Sequence, residues 1–390
     1  MYVQQPPSFV DEKHRHKVLR LHKALYGLRQ APRAWNQKLD TELVSLGFTH
    51  CVDEHGMYTR VKGGVRLIVG VYVDDLIITG GDAVDVAKFK VQMKNIFKMS
   101  DLGLLSYYLG LEVSQGKQGI TLRQSGYASK VLEKAGLAGC NASATPMEPK
   151  LKLLKDGTTP SVDATEYRSL IGSLRYLCNS RPDLGYPVGY LSRFMEAPRQ
   201  EHLAAVKRVL RYVAGTLDWG LHYRPGQKNG GAPKLLGYSD SDLAGDVNDR
   251  KSTSGLIFFL AGGPVAWQSA KQKVVALSSC EAEYIAAAAA ACEAVWLSRL
   301  LAELVGGAVL APKLKVDNKS AIALMKNPVH HDRSKHIDVK FHFIQECCDR
   351  KLIDVDFVGT EHQLGDILTK ALGRTRFQEL RGWIGMEKLV

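Results

Sequence analysis

The sequence predicts a multidomain chain of α+β and α/β character, and three stretches carry that prediction. Residues 57–81 alternate apolar and polar side chains as paired strands do, the span from the first linker to "HLAAVKRVLRYVAGTLDWGLHY" reads as mostly helical, and residues 234–390 alternate strands with helices.

The elements follow in order. Residues 17–47 read as helical with a break at "APRAW", and residues 57–81 as strands closing on the hairpin "VGVYVDDLIITGG". Neighbouring residues on a strand face opposite ways, so an unbroken strand would bury either Asp74 or Asp75 at a cost of several kcal/mol. A tight turn puts both carboxylates at the tip, where a divalent cation suits them. "LSYYLGLEVSQGKQGITLRQ" reads as another hairpin, around Gly116 and Gly119. "TPMEPKLKLLKDGTTP" and the stretch from Arg224 to Pro233 read as linkers. In the last block a strand carries Asp240, two more strands follow, a long Ala-rich helix has Glu283 near its start, a strand ends at Asp317, and Asp366 opens a helix. Residues 234 to about 375 are expected to form a five-stranded mixed sheet, with the Ala-rich helix packed on it through Tyr284, Ile285 and Trp296. That span is near the commonest domain size, so it is expected to fold autonomously.

Composition narrows the function classes. Lys and Arg number 52 against 40 Asp and Glu, a net charge of +12, and the pI is about 9.2. Such a balance favours an anionic partner, nucleic acid first. On one side of a helix, Lys207, Arg208 and Arg211 form a candidate contact track, although a solvated helix face is the commoner role for such residues. Seven cysteines without a CxxC spacing fit reduced intracellular thiols; cytoplasm and nucleus are not distinguished. "MYVQQPPSF" lacks the apolar core of a signal peptide, and "IAAAAAACEAVWL" reads as too short and too interrupted by Glu293 to cross a bilayer, so no membrane partner is expected.

Asp240, Glu283, Asp317 and Asp366 each sit at an element end. Four acids from separate elements can converge on one sheet edge and hold two Mg2+ or Mn2+ ions for phosphodiester cleavage. Each acid alone has a plainer role as a helix cap, a first-turn charge or part of a turn cluster; the joint occurrence points to a site. "HHDRSKHIDVKFHFIQECC" offers His330, His331, His336, His342, Cys347 and Cys348, but in no zinc-binding spacing, and His336 to Cys348 reads instead as an amphipathic helix. His362 is a candidate for assisting product release.

"KALYGLRQAPRAW", "YVDDLIITG", "YYLGLEV", "SLIGSLRYLCNSRPDLGYPVGYLSRF", "DRKSTSG" and "SSCEAEYIA" together resemble the copia-type retrotransposon polyprotein, in its reverse transcriptase and ribonuclease H regions, nearly end to end. The resemblance implies a partial polymerase palm and the start of a thumb over residues 1–148, a helical thumb or connection region with its linker over 149–233, a ribonuclease H-like domain over 234–375 and a tail over 376–390. It implies that Asp74, with Asp75 beside it, binds metal in the palm and that Tyr72 belongs to the same tip. It further implies that Gln30 lines the incoming nucleotide and template, that Leu109 and Gly110 hold the primer end, and that Asp240, Glu283, Asp317 and Asp366 are the four ribonuclease H acids. The expected cofactor is Mg2+ or Mn2+. Expected partners are an RNA/DNA hybrid, primer-template nucleic acid, and the remainder of a Pol polyprotein or a second subunit.

The family places a further palm carboxylate on a strand upstream of "QPPSF", and Asp11 and Glu12, in the charged stretch "DEKHRHK", do not replace it. The expectation is therefore a Mg-dependent ribonuclease H joined to a polymerase portion that has lost primer extension. The competing expectation is a non-catalytic, nucleic-acid-binding remnant of a degraded element.

Overall fold

The computed structural model describes residues 1–225, 233–326 and 335–389, with backbone alone for 335–341. His330, His331 and most of the second linker lie outside the described residues. The chain divides into two compact units, Met1–Asp101 with Glu303–Val305, and Leu102–Ala302 with Gly306–Val390.

The first unit opens with a two-stranded ribbon, β1 (Tyr2–Val3) and β2 (Leu19–Arg20). Helix α1 (Ala31–Ser45) is shorter than expected, because Pro32 starts a helix rather than interrupting one: its missing N–H falls where the first turn leaves donors unpaired. Strands β3 (Thr49–His50), β4 (Met57–Lys62), β5 (Val65–Tyr72) and β6 (Asp75–Gly80) then form an antiparallel sheet in that order, followed by α2 (Ala83–Ile96). Leu39 and Leu43 of α1, Phe89 and Met93 of α2, and Tyr58, Leu67 and Val69 of the sheet share one core. The period-two pattern of β5 sends Leu67 and Val69 to the same face, as the sequence demands.

Among the described residues, the second unit holds two sheets. Strands β7 (Tyr107–Tyr108), β8 (Leu111–Gly116) and β9 (Gly119–Arg123) are extended by β10 (Trp219–Tyr223) and β16 (Met386–Lys388) into a five-stranded antiparallel sheet. Helices α3 (Ser125–Lys134), α4 (Ala164–Leu177), α5 (Gly185–Leu191) and α6 (Gln200–Ala214) supply the helical stretch. The stretch expected as a first linker is packed, with Met147 and Leu153 buried and the Leu153 N–H donating to Tyr190 Oη at 3.0 Å. The expected tail instead forms most of α10 (Arg374–Trp383) and β16, and buries Phe377, Leu380, Ile384 and Met386 in the helical core.

The other sheet is mixed, in the order β13 (Gly263–Lys271), β12 (Thr253–Leu260), β11 (Leu235–Ser241), β14 (Lys313–Val316), β15 (Asp354–Phe357). Strands β11, β14 and β15 run parallel, while β12 and β13 fold back antiparallel. Helices α7 (Ser279–Val305), α8 (Lys319–Lys326) and α9 (Lys335–Asp349) fill the crossovers that parallel pairing requires. Tyr284 packs on this sheet as expected, joined by Ala287, Ala291 and Ala294 at three- and four-residue intervals. Ile285 and Trp296 do not complete that stripe. Ile285, a third of a turn away, joins Ala276 and Ala282 in a separate cluster, and Trp296 lines an open groove with Trp267. With 27 residues, α7 is long and apolar enough to cross a membrane, contrary to the expectation from its Ala run, but the buried stripe gives it the role of a core helix.

A charged network lies inside this unit. The Arg181 guanidinium grips both oxygens of Asp183, at 2.9 and 2.7 Å, Tyr212 Oη donates to Asp183 at 2.6 Å, and Arg381 donates to Tyr212 Oη at 3.0 Å while stacking on Trp219. Asp183 is wholly buried. Burial opposes its charge, and Arg181 outweighs that, keeping the carboxyl below its usual range.

Candidate metal centre

Three acids meet in the second unit. Asp240 lies near the end of β11, Glu283 in the second turn of α7, and Asp317 directly after β14. Local sequence sets each position. Ser278 caps α7 by accepting the Glu281 N–H at 3.1 Å, which fixes where Glu283 falls. Because β14 pairs parallel with β11, Asp317 reaches the sheet end that carries Asp240.

One oxygen from each acid lies within 4.8 Å of the other two. Oxygens on one octahedral Mg2+, at Mg–O distances of about 2.1 Å, stand about 3.0 Å apart when adjacent and about 4.2 Å when opposite, so the triad would draw inward to hold one ion. Among the described residues this is the single group of three His, Cys, Asp or Glu side chains so arranged. Asp240 is 1% exposed and Glu283 5%. Glu283 Oε1 accepts the Ser241 N–H at 3.0 Å, while Oε2 is buried with no hydrogen-bond partner. Buried carboxylate oxygens normally find a partner, so Oε2 is left free to accept a proton or a cation. Burial, then Asp240 and Asp317, push the Glu283 carboxyl well up. Burial also raises Asp240, against the pull of Lys370.

Asp366 does not open a helix; it lies inside a 3-10 turn, Leu364–Leu368, and outside the triad. That turn rides close on β11. A Cβ on Gly365 would sit 2.6 Å from Asp240 Cβ, so only glycine permits the approach. Asp366 is held by Lys370 in direct contact and by Arg376 at 3.8 Å, while Lys370 Nζ also lies 3.5 Å from Asp240 Oδ2. Burial opposes the Lys370 charge, but Asp240 and Asp366 outweigh it and hold the ammonium above the ordinary lysine range. Thr369 Oγ1 donates to Asp240 Oδ2. Sequence reasoning alone does not single out Lys370, Thr369 or Arg376; the four-residue step from Asp366 to Lys370 is the available signal. His362 is exposed, with Trp383 6.0 Å away.

In the first unit, Tyr72 pairs with Asp75 across a two-residue turn of Val73 and Asp74. Tyr72, Val73, Asp74 and Asp75 are all exposed. Val73 has φ +55°, a strained conformation for a β-branched residue, and its carbonyl is pinned by Trp35 Nε1 at 2.6 Å. Gln30 precedes the helix that carries Trp35 and is exposed. In the second unit, Leu109 and Gly110 form the tip between β7 and β8, both at positive φ. The Leu109 carbonyl accepts from Tyr176 Oη, and a Cβ on Gly110 would lie 2.7 Å from that oxygen. Lys207 is exposed, but Arg208 binds Glu148 and Thr145, and Arg211 binds the Asn141 carbonyl, so two of the three track residues tie down the 141–148 loop.

A family described as reverse transcriptase (RNA-dependent DNA polymerase) matches residues 1–149. The chain is 40% identical over its whole length to the Pol polyprotein of transposon RE1 from Arabidopsis thaliana, of which it covers 26%. It is 37% identical, over 74% of its length, to the Ty5-1 transposon protein YCL074W of Saccharomyces cerevisiae, of which it covers 93%. The chain belongs to the copia-type retrotransposon Pol family. This copia-type chain spans about a quarter of the length of the RE1 relative. Among solved structures, an RNase H1 in complex with RNA/DNA hybrid is similar at a TM-score of 0.27 and 16% identity, over 35% of this chain and 93% of that one.

The raised carboxyls of the copia-type chain give its metal-free stability a sign. A carboxyl whose pKa is higher folded than unfolded stabilises the fold while protonated, so the contribution is full below the unfolded carboxylate pKa and is lost as pH rises through the folded one. In EDTA, stability is expected to fall from about pH 4 upward through neutrality. Glu283→Gln should flatten that slope and raise neutral-pH stability by about 1 kcal/mol or more, since each tenfold difference in proton affinity between folded and unfolded states carries about 1.4 kcal/mol. Urea unfolding at several pH values measures both.

Proposed function

We propose that the second unit is a divalent-metal-dependent ribonuclease H, cutting the RNA strand of an RNA/DNA hybrid. The observation that carries the reading is the convergence of Asp240, Glu283 and Asp317 with Glu283 Oε2 unpartnered. Mg2+ or Mn2+ bound there would activate water and stabilise the leaving oxygen. The chain's own contributions are positional. β11, α7 and β14 hold the three carboxylates from separate elements, the Ser241 N–H fixes the Glu283 rotamer, and Thr369 orients Asp240. Burial raises both the Asp240 and the Glu283 carboxyl, and a cation placed among them in that poorly screened setting would offset the cost of their ionisation. The net charge of +12 supports binding of a polyanion.

The test uses an end-labelled RNA/DNA hybrid and a matched RNA duplex with Mg2+. The hybrid is expected to be cut and the duplex spared; a chain that cuts neither with Mg2+ or Mn2+ leaves the non-catalytic, nucleic-acid-binding reading in place.

Polymerisation by this chain is a separate matter. Asp74 and Asp75 sit at an exposed tip, and among the described residues no third carboxylate joins them to complete a cation site. The 390-residue protein is therefore expected to bind a primer-template without extending it. Extension of a labelled primer, abolished by Asp74→Asn, would overturn this.

A further inference from the structure

Resting on the ribonuclease reading, the cluster divides into two electrostatic halves. Asp240, Glu283 and Asp317 face one another with no basic group in contact with Glu283 or Asp317 among the described ion pairs. Asp366, the fourth acid, is already neutralised, by Lys370 in direct contact and Arg376 at 3.8 Å. Lys370 Nζ bridges the halves, 3.5 Å from Asp240 Oδ2. An ammonium placed between two carboxylates fills the position a second cation would need, because both would draw on the same oxygens of Asp240 and Asp366.

We propose that Lys370 is a built-in cation of the site, a positioning residue that lets one divalent ion bind at Asp240, Glu283 and Asp317 and makes a second ion at Asp366 compete with its own ammonium. Arg376 does not share that role. Its guanidinium also binds the Thr360 carbonyl at 3.2 Å and stacks over Trp383, so it is anchored away from Asp240. Lys370 reaches in from the residue after Thr369, on an unbranched stem that can swing aside. The two ions are thus expected to load in order, the first without moving Lys370 and the second only as Lys370 withdraws.

The experiment counts Mn2+ ions bound to the full chain by electron paramagnetic resonance of free Mn2+, with Asp240→Asn as the reference for binding elsewhere. Wild type should show one tight ion above the reference and a second at least about tenfold weaker. Lys370→Met should tighten the second ion about tenfold or more. Lys370→Arg, which keeps the charge, should retain the wild-type pattern, and Lys370→Gln gives the same comparison should the Met variant not fold. Identical two-step curves for wild type and both neutral variants would overturn the role of Lys370 while leaving the metal site standing. No binding above the reference in wild type would instead remove the ribonuclease reading on which it rests.

Discussion

Asp240→Asn and Glu283→Gln will each lower magnesium-dependent cleavage of an RNA/DNA hybrid by about a thousandfold or more, with hybrid binding little changed. A metal ion stabilises developing charge by several kcal/mol, and each 1.4 kcal/mol or so is tenfold in rate. Either amide removes a negative ligand while preserving shape, and the fold has no spare: the triad is the single such group among the described residues. Single-turnover cleavage, paired with hybrid binding measured in Ca2+, separates loss of chemistry from loss of grip. A neutralised variant that cuts as fast as wild type would mean that the three acids are not the reacting centre.

The second large effect concerns stability. Asp183→Ala leaves the buried Arg181 guanidinium with the Thr216 carbonyl and hydroxyl but no counter-charge. Removing one partner of a buried ion pair costs about 3–5 kcal/mol, because the desolvated charge that remains is uncompensated. Removing both, in Arg181→Met with Asp183→Leu, should recover most of that loss. Urea unfolding followed by tryptophan fluorescence suits the test, since Trp219 stacks on Arg381 of the same network. A loss under about 1 kcal/mol in the single variant would show the network to be exposed to water in solution.

What the sequence disclosed, and what it hid, follows from the range of the signals. The hairpin carrying Asp74 and Asp75 was readable because strand alternation and two adjacent carboxylates are local facts, and the structure closes it with Tyr72 opposite Asp75. The strand of Asp240, the helix of Glu283 and the five-stranded mixed sheet were readable for the same reason. Packing between distant segments was not. The C-terminal segment was expected as a tail, yet Phe377 and Leu380 find their partners in helices far earlier in the chain, which nothing local in the sequence discloses. Asp366 looked like a helix opener because Asp often is, whereas Gly365 and its contact with Asp240 hold a tighter turn. Among the basic residues, Arg208 and Arg211 of the expected contact track also hydrogen-bond the 141–148 loop, while Lys370, which drew no notice, stands between two of the acids.

The most direct test of the central claim, that Asp240, Glu283 and Asp317 form one divalent-cation site, is anomalous diffraction from crystals of the chain soaked in Mn2+. The expected result is a manganese peak bounded by Asp240, Glu283 and Asp317, with Glu283 Oε2 among its ligands. A well-ordered triad with no peak there, at Mn2+ concentrations that give one at another site, would contradict it.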